Sequence, residues 1–228
     1  MTVGAPGFEA QLRHFREALA GGKGRLGWKV AFNDPAVQAR FGLSRPPIGW
    51  IDADAFLPSG ASVTIGPNQR VAVEAEVMLT MGRDVAAAES LDALRGAIES
   101  VSPAIELVDY TRSGQEIADI VEHSFFHLAT IYGEPAATFP ADAELLVTGV
   151  SKNGDPAAEC IAGRVPKDLA EMVALVASTL EEAGERLLGG DRIICGSYIA
   201  PFPVTAGDTA SATYAEGLGT VTVSLAER

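Results

Sequence analysis

The sequence predicts an α+β fold with a β-rich core. Segments with the alternating or continuous apolar character of strands outnumber segments with helical periodicity. The 24 glycines and 13 prolines are spread along the chain, which indicates a compact structure with many turns. No G-x-x-x-x-G-K-[ST] motif marks a phosphate-binding loop, so a P-loop nucleotide site is not expected.

Helical and strand segments alternate near the start of the chain. Apolar residues at helical spacing predict a helix from Phe8 to Ala20, which a glycine pair ends. The stretch GWKVAF at 27–32 alternates in the way typical of a strand. Asp34 and the proline after it have the order of an N-cap and a first helical residue, so they predict a short helix that Gly42 ends.

The rest of the chain supplies the main strands and the clearest helix. Strands are predicted from Val71 to Met81 and from Pro103 to Tyr110, with a helix around Ser90 to Ser100 between them. The pair Asn153-Gly154 separates two strand-like runs and predicts a hairpin turn. An apolar stripe predicts a helix from Pro166 to Leu187, ended by a glycine pair.

The chain length of 228 residues suits one domain with a sizeable core. A stretch rich in proline and glycine at 45–69 is interpreted as a hinge. We therefore divide the chain into an N-terminal helical and β segment, residues 1–66, and a β-rich catalytic core, residues 67–228. The two parts are expected to form one structural unit.

Charge and cysteine usage narrow the class of protein. With 30 acidic and 17 basic residues the net charge is −13, which disfavours nucleic acid or an anionic membrane as a partner. The N-terminus lacks the pattern of a signal peptide, and no apolar stretch is long enough to span a bilayer. Cys160 and Cys195 are isolated and are interpreted as core or near-core residues in a reducing compartment. A cytoplasmic protein is expected.

Glu74 and Glu76 stand two residues apart inside the apolar run AVEAEVMLTM. Because strand side chains alternate, both carboxylates share one face of a strand whose two faces are otherwise mostly apolar. Glu106 lies in the middle of the second predicted strand. Three carboxylates on two core strands suit a divalent cation with oxygen ligands, Mg²⁺ or Mn²⁺. The alternative is that the pair decorates the solvent face of an edge strand and that Glu106 is a surface residue.

Lys29 also has two interpretations. It lies among Trp28, Val30 and Phe32, so its stem could cover apolar surface while the ammonium stays in water. Alternatively it is a partly buried amine that transfers a proton or holds a carboxylate. Its neighbours in the sequence do not decide between the two.

An ordered series of segments from Gly24 to about Leu225 resembles one family. The series looks like the fumarylacetoacetate hydrolase superfamily, and most like its 2-keto-4-pentenoate hydratase and 4-oxalocrotonate decarboxylase branch. The segments are GWKVAF, AVQARFGLSRPPIGWI, VEAEVMLTMGRD, PAIELVD, STLEEAGERLLGGDRIICGS, APFPVTAGDT and GLGTVTVSL.

The resemblance implies a β-rich mixed sheet roll with a short N-terminal helical segment. It implies that Glu74, Glu76 and Glu106 hold Mg²⁺ or Mn²⁺, and that Lys29 is a proton shuttle or a partner of the substrate carboxylate. Ser197 in CGSYIAP is a candidate substrate contact, although a turn residue that bonds the backbone is an equal alternative. Members of the family form dimers or larger rings, so a homo-oligomer is expected.

The activity implied by the resemblance is that of a metal-dependent lyase on a small 2-oxo acid. Hydration of a 2-hydroxy-2,4-dienoate is favoured. The alternatives are a 2-oxo acid decarboxylase and a non-catalytic partner subunit, since hydratases and decarboxylases of this type can associate. Hydrolysis of acylpyruvates is disfavoured because segment 33–45 contains no histidine, and the H-x-x-E pair His14 and Glu17 lies in the preceding helix.

One segment departs from the family pattern. Where hydratases of this branch have small polar residues, this chain has IVEHSFFHLATIYG. His123 is a candidate catalytic acid or base near neutral pH, whereas a packing role is expected for His127. The bulkier residues either narrow or repolarise the pocket, or they pack differently.

Overall fold

The computed structural model describes residues 5–112, 116–138 and 142–228. Within these ranges the chain forms five α-helices and two sheets. The helices are α1 Phe8–Ala20, α2 Pro35–Phe41, α3 Leu91–Arg95, α4 Ile117–Glu122 and α5 Ala170–Glu182. The strands are β1 Arg25–Val30, β2 Ile48–Asp52, β3 Phe56–Pro58, β4 Ser62–Ile65, β5 Val71–Met81, β6 Ile98–Asp109, β7 His127–Tyr132, β8 Val147–Lys152, β9 Asp155–Ala158, β10 Arg192–Ile194, β11 Phe202–Val204, β12 Thr209–Tyr214 and β13 Gly219–Glu227.

The larger sheet has the strand order β2-β1-β10-β5-β6-β7-β3, with β11 also paired to β5. The pairs β1/β10 and β3/β7 are parallel, whereas β5 pairs with β6 antiparallel, so the sheet is mixed. Its two outermost strands, β2 and β3, are joined by the short turn Ala53–Ala55. Because three residues span only about 10 Å, this turn holds the two edges near each other and the sheet curls.

The second sheet has the order β4-β13-β12-β8-β9 and packs against the larger sheet. Contacts of β12 and β13 with β6 join the two sheets. One contiguous apolar core fills the space between the elements, with Trp28 and Tyr198 among its largest fully buried side chains. The fold class expected from the sequence, α+β with a β-rich roll, is confirmed.

Local sequence signals place the first helices correctly. The helix α1 has the bounds that its apolar spacing predicts, Phe8–Ala20. The Asp34 carboxylate accepts a hydrogen bond from the Ala36 amide at 2.8 Å, and Pro35 begins α2. Gly42 ends this helix with φ of 66°, a left-handed conformation that glycine adopts without a steric penalty.

Two predicted helices are too long. The helix expected around Ser90 to Ser100 is reduced to α3, because β6 begins at Ile98 and pairs with β5 from there. The helix expected from Pro166 to Leu187 is α5, which ends at Glu182. Gly184 follows with φ of 74° and stops it before the predicted glycine pair.

Strands from both sides of the predicted boundary at residue 66 lie in the same sheet. Strands β1, β2 and β3 belong to the expected N-terminal segment, yet they complete the sheet that contains β5 and β6. The division into 1–66 and 67–228 therefore stays a prediction about domains, and the residues of both parts meet in one sheet. No helix in the described ranges is long and apolar enough to cross a membrane.

Candidate active site

Three carboxylates converge inside the curled sheet. Glu74 on β5 stands directly opposite Glu106 on β6, and Glu76 stands opposite Ala104, two residues away. One oxygen from each of the three glutamates lies within 4.8 Å of the others. Glu76 and Glu106 are 1% and 0% exposed, and β5 lies between β10 and β6 in the sheet. The alternative of a solvated edge strand is therefore wrong.

Each carboxylate is held by a specific donor. Glu106 Oε1 accepts from Lys29 Nζ and lies 2.7 Å from His127 Nδ1. Glu76 Oε2 accepts from the Gly196 amide at 2.8 Å. The Tyr110 hydroxyl donates to Glu74 Oε1 at 3.0 Å. These contacts fix the orientation of the three side chains and leave oxygen atoms free to bind a ligand.

The proximity of the carboxylates shifts their proton affinities. Burial and the charge of Glu106 raise the pKa of Glu74 to about 7, although Lys29 and Tyr110 act in the opposite direction. Burial and the charges of Glu106 and Glu74 raise the pKa of Glu76 well above its ordinary value. For Glu106, burial would raise the pKa, but Lys29 and His127 outweigh it and hold the pKa at about 2. The protein's own positive charges thus compensate Glu106 but do not compensate all three carboxylates in their ionised form.

The donor set fits a divalent cation. Glu106 Oε2 is buried and has no hydrogen-bond partner among the described residues, which would be costly unless a ligand contacted it. The raised pKa values of Glu74 and Glu76 also show that the protein does not supply enough positive charge to keep both carboxylates ionised. All-oxygen ligands without cysteine are typical of Mg²⁺ and Mn²⁺ sites. The three glutamates are therefore a candidate site for a divalent cation.

Lys29 lies inside the sheet and not at its surface. Its side chain is 4% exposed and forms an ion pair with Glu106. Burial alone would lower the pKa of Lys29, but the charges of Glu106, Glu74 and Glu76 outweigh it and raise the pKa above its ordinary value. The interpretation that the ammonium lies in water is wrong, and the lysine remains charged while it holds a carboxylate.

The unusual EHSFFH segment, residues 122–127, places Phe125 beside Lys29. Its ring packs at the edge of Phe32, with centroids 5.2 Å apart, and Lys29 Nζ lies 5.8 Å from its centroid. Gly49 leaves the space for this arrangement, because a Cβ there would lie 3.0 Å from Lys29 Cγ. Residues Ser124 to Phe126 all have positive φ, a strained backbone conformation for residues other than glycine. The segment therefore packs an aromatic ring against Lys29.

The structure places His127, and not His123, beside the carboxylates. His127, expected to have a packing role, contacts Glu106 directly, and burial lowers its pKa. The neutral ring donates from Nδ1 to Glu106, which leaves Nε2 as the acceptor near Thr130 Oγ1 at 3.5 Å. His123, the predicted acid or base, is 40% exposed and contacts Asp119. The geometry does not bring His123 to the carboxylates, so its catalytic role has no structural support.

Ser197 makes the local contacts of a turn residue. Its hydroxyl donates to the Ile199 carbonyl at 3.1 Å and lies 3.4 Å from the Ile199 amide. The side chain is partly buried one residue from Gly196, which bonds Glu76. The backbone-bonding alternative thus describes its present contacts, and a substrate contact stays a prediction.

The sequence patterns did not single out Asn33 and Arg164, two polar residues near the site. Asn33 donates from Nδ2 to the Cys195 carbonyl at 2.8 Å, while its Oδ1 is buried without a partner among the described residues. The Asn33 side-chain amide packs against Gly196, whose φ is 94°. A Cβ on Gly196 would lie only 2.2 Å from Asn33 Nδ2, so only glycine fits there. Arg164 is the second missed residue, and its charge acts on Glu74.

A mixed curled sheet that holds three converging carboxylates and a buried lysine is the arrangement of a divalent-metal enzyme. Similarity to known proteins in sequence and fold supports this class of enzyme. No family model matches the sequence. The chain is 29% identical to 2-keto-4-pentenoate hydratase 1 of Dechloromonas aromatica, with 92% of this chain and 81% of the relative aligned. It is 26% identical to 2-hydroxyhexa-2,4-dienoate hydratase of Comamonas testosteroni, over 100% of this chain and 88% of the relative.

The fold also matches a solved enzyme with a bound cation. The 4-oxalocrotonate decarboxylase from Pseudomonas putida G7, complexed with magnesium and adipate, superimposes with a TM-score of 0.85 at 25% identity. The match covers 96% of this chain and 84% of that enzyme. In sequence and in fold the chain is thus similar to 2-keto-4-pentenoate hydratases and 4-oxalocrotonate decarboxylases, the branch of the fumarylacetoacetate hydrolase superfamily that its sequence resembles. The resemblance seen in the sequence is confirmed.

Proposed function

We propose that this enzyme is a hydro-lyase that hydrates a 2-hydroxy-2,4-dienoate to a hydroxylated 2-oxo acid, with Mg²⁺ or Mn²⁺ as its cofactor. The observation that carries the proposal is the buried set Glu74, Glu76 and Glu106 with Lys29 ion-paired to the last of them. Relatives named as hydratases of 2-keto-4-pentenoate and 2-hydroxyhexa-2,4-dienoate align along nearly the whole chain and support the same reaction class.

The three glutamates would hold the cation, with Glu106 Oε2 as the oxygen that lacks a protein partner. When bound, a divalent cation supplies a Lewis acid for the carboxylate and 2-oxo oxygens of the substrate. His127 orients Glu106 through its ring nitrogen, and Tyr110 orients Glu74 through its hydroxyl. These contacts pre-organise the ligand oxygens, as the partners of metal ligands generally do.

Lys29 supplies the mobile proton in this proposal. Hydration of a dienoate requires a proton at one carbon and the oxygen of water at another, and an ammonium can hold or pass that proton at Nζ. The carboxylates keep the pKa of Lys29 raised, so the group is charged when the substrate arrives. In that state it can also bind the substrate carboxylate. The Phe125 ring, which packs against Phe32, lies over the lysine and limits access of bulk water.

Loss of CO₂ from a 2-oxo dicarboxylic acid is a second candidate reaction. The observation in its favour is the TM-score of 0.85 to a 4-oxalocrotonate decarboxylase whose structure contains the dicarboxylate adipate. Both reactions use a 2-oxo acid and a divalent cation. A non-catalytic partner subunit is disfavoured, because three buried carboxylates are costly to retain without a use for them.

The test is product formation from purified protein. With Mg²⁺ or Mn²⁺ present, the protein is expected to convert 2-hydroxypenta-2,4-dienoate to 4-hydroxy-2-oxopentanoate, which proton NMR identifies. A parallel reaction with 2-oxohex-3-enedioate measures release of CO₂. Chelation of the cation should stop either reaction. Consumption of neither compound at millimolar cation would refute the proposal, and CO₂ release without hydration would select the second candidate.

The setting of the enzyme is also proposed. The two cysteines, Cys160 and Cys195, are free, which supports a reducing compartment and hence the cytoplasm. A homo-oligomer is expected from the family, with association to a pathway decarboxylase or hydratase as a further prediction. Light scattering on the purified protein, alone and mixed with such an enzyme, measures both.

A further inference from the structure

Arg164 lies in the segment between β9 and α5. Hydrogen bonds hold this segment against residues 195–199, next to the carboxylates. The Ile161 amide donates to the Tyr198 carbonyl at 2.7 Å, and Cys160 forms an isolated β-bridge with Ile199. The guanidinium of Arg164 adds a third link, because its Nη1 donates to the Ile199 carbonyl at 2.7 Å. The position of Arg164 is therefore fixed by the backbone segment 195–199.

That backbone segment is in turn attached to the metal-binding strand. The Tyr198 amide donates to the Ala75 carbonyl at 2.8 Å, and the Gly196 amide donates to Glu76. Arg164 is thus one backbone layer away from β5, and its positive charge lowers the pKa of Glu74. Among the described cations, Lys29 and Arg164 both act on Glu74.

The hydrogen-bonding capacity of Arg164 is not used up. Its Nε is buried and has no partner within the described residues, and its Nη2 lies 3.9 Å from Asp34 Oδ2, too far for a hydrogen bond. The side chain is 24% exposed, so the guanidinium is reachable from solvent. Lys29, in contrast, is 4% exposed and ion-paired with Glu106. Arg164 therefore retains donors at the edge of the site.

We propose that Arg164 binds an anionic group at the far end of the substrate, so that the enzyme prefers 2-oxo dicarboxylic acids over 2-oxo monocarboxylic acids. The proposal rests on the proposed function, in which the 2-oxo acid end of the substrate occupies the glutamate centre. A planar guanidinium binds a carboxylate through two parallel hydrogen bonds. With a net charge of −13, the chain would repel a dianion unless a local cation received its second charge.

The experiment measures binding of two inert six-carbon 2-oxo acids to Mn²⁺-loaded protein by isothermal titration calorimetry. 2-Oxoadipate has a distal carboxylate and 2-oxohexanoate has none. Wild type is expected to bind 2-oxoadipate at least about tenfold more tightly, the gain typical of one charge-assisted contact. Arg164→Gln should remove most of this ratio and leave the affinity for 2-oxohexanoate within about twofold. Arg164→Lys should keep part of the ratio.

Two variants control for charge. Arg13→Gln removes one positive charge from an exposed position on α1 and should keep the full ratio. Asp34→Asn removes the negative charge nearest to the guanidinium while keeping a side chain that caps α2, so it should increase the ratio. A melting curve of each variant confirms that it is folded.

The outcomes separate this inference from the proposed function. Equal affinity of wild type for both compounds would overturn the role of Arg164 and leave the metal-centred function standing. An equal loss of affinity for both compounds in Arg164→Gln would mean that the arginine is structural, which also overturns it. Failure of wild type to bind either 2-oxo acid in the presence of Mn²⁺ would refute the proposed function together with this inference.

Discussion

Lys29 on β1 and Glu106 on β6 form an ion pair inside the curled sheet, although two strands, β10 and β5, lie between β1 and β6 in the sheet. The two side chains are 4% and 0% exposed. A buried pair of this kind is costly to assemble, and removing one partner leaves the other charge uncompensated. The pair therefore indicates a functional requirement more than a gain in stability.

We expect Lys29→Met to lower turnover by about 10²- to 10⁴-fold, the range for loss of a proton-transfer group. The cation replaces part of the lost positive charge, so the melting temperature of the Mg²⁺-saturated variant should fall much less than its activity suggests. Steady-state kinetics and thermal unfolding measure the two effects. Lys167→Met, at a 67% exposed position, is the control. Wild-type turnover in Lys29→Met would make this lysine structural.

Saturating Mg²⁺ or Mn²⁺ should raise the melting temperature of the wild-type protein. A ligand at 100 times its dissociation constant stabilises the folded state by about 2.7 kcal/mol. The double variant Glu74→Ala with Glu76→Ala should lose this rise, because it removes two of the three converging carboxylates. The exposed pair Glu134→Ala with Glu227→Ala should keep it. An unchanged rise in the first double variant would refute the metal assignment.

Stability of the cation-free protein should fall as the pH increases from about 5 to 8. The pKa of Glu74 is about 7 in the folded protein against an ordinary value of 4.5. The folded state therefore binds this proton more tightly, and the stabilising contribution is complete below 4.5 and lost as the pH rises through 7. The same linkage makes cation binding stronger at high pH and coupled to proton release.

Melting curves in a chelating buffer test the stability part of this prediction. Calorimetric titration with Mn²⁺ in two buffers of different ionisation enthalpy tests the proton release. A cation affinity that is independent of pH between about 6 and 8 would contradict a raised pKa of Glu74.

Gly49→Ala should destabilise the protein by about 1–3 kcal/mol, the usual cost of overpacking a core. The new Cβ would lie 3.0 Å from Lys29 Cγ and 3.1 Å from Phe125 Cδ2, so one of these side chains must move. Turnover should fall as well, because Lys29 would lose its alignment with Glu106. Gly149→Ala is the matched control, since nothing lies within 4 Å of a Cβ there. Equal effects of the two substitutions on activity would argue against a fitted pocket.

We also expect no hydrolysis of carbon-carbon bonds in acylpyruvates. Segment 33–45 contains no histidine to activate water. Of the three histidines, His14 is 51% exposed beside Glu122, His123 contacts Asp119, and His127 is engaged with Glu106. Pyruvate released from acetylpyruvate, measured with a coupled dehydrogenase, is the readout. Its rapid release would show that a water-activating base exists elsewhere in the site.

Local signals in the sequence determined several elements and one part of the site. The cap at Asp34, the proline after it and the glycine at 42 specify α2 through contacts within a few residues, so no distant partner is needed. The alternation of side chains in the strand AVEAEVMLTM likewise placed Glu74 and Glu76 on one face, because this alternation is a local property of the backbone. The apolar run around Glu106 predicted the third carboxylate, and the family resemblance, which draws on the ordered series of segments, favoured the metal-binding interpretation of the three glutamates and the functional interpretation of Lys29.

Only the tertiary structure decided which groups meet those residues. His127 reaches Glu106 because β7 pairs with β6, and Arg164 approaches Glu74 because its segment is bonded to 195–199. Both contacts depend on strand pairing and loop attachment between residues far apart in the chain, which sequence periodicity does not encode. The sequence by itself determined the fold class and the carboxylates. The tertiary structure also decided the Lys29 and Glu106 pair, because its two partners are 77 positions apart in the chain and are buried together only in the folded sheet.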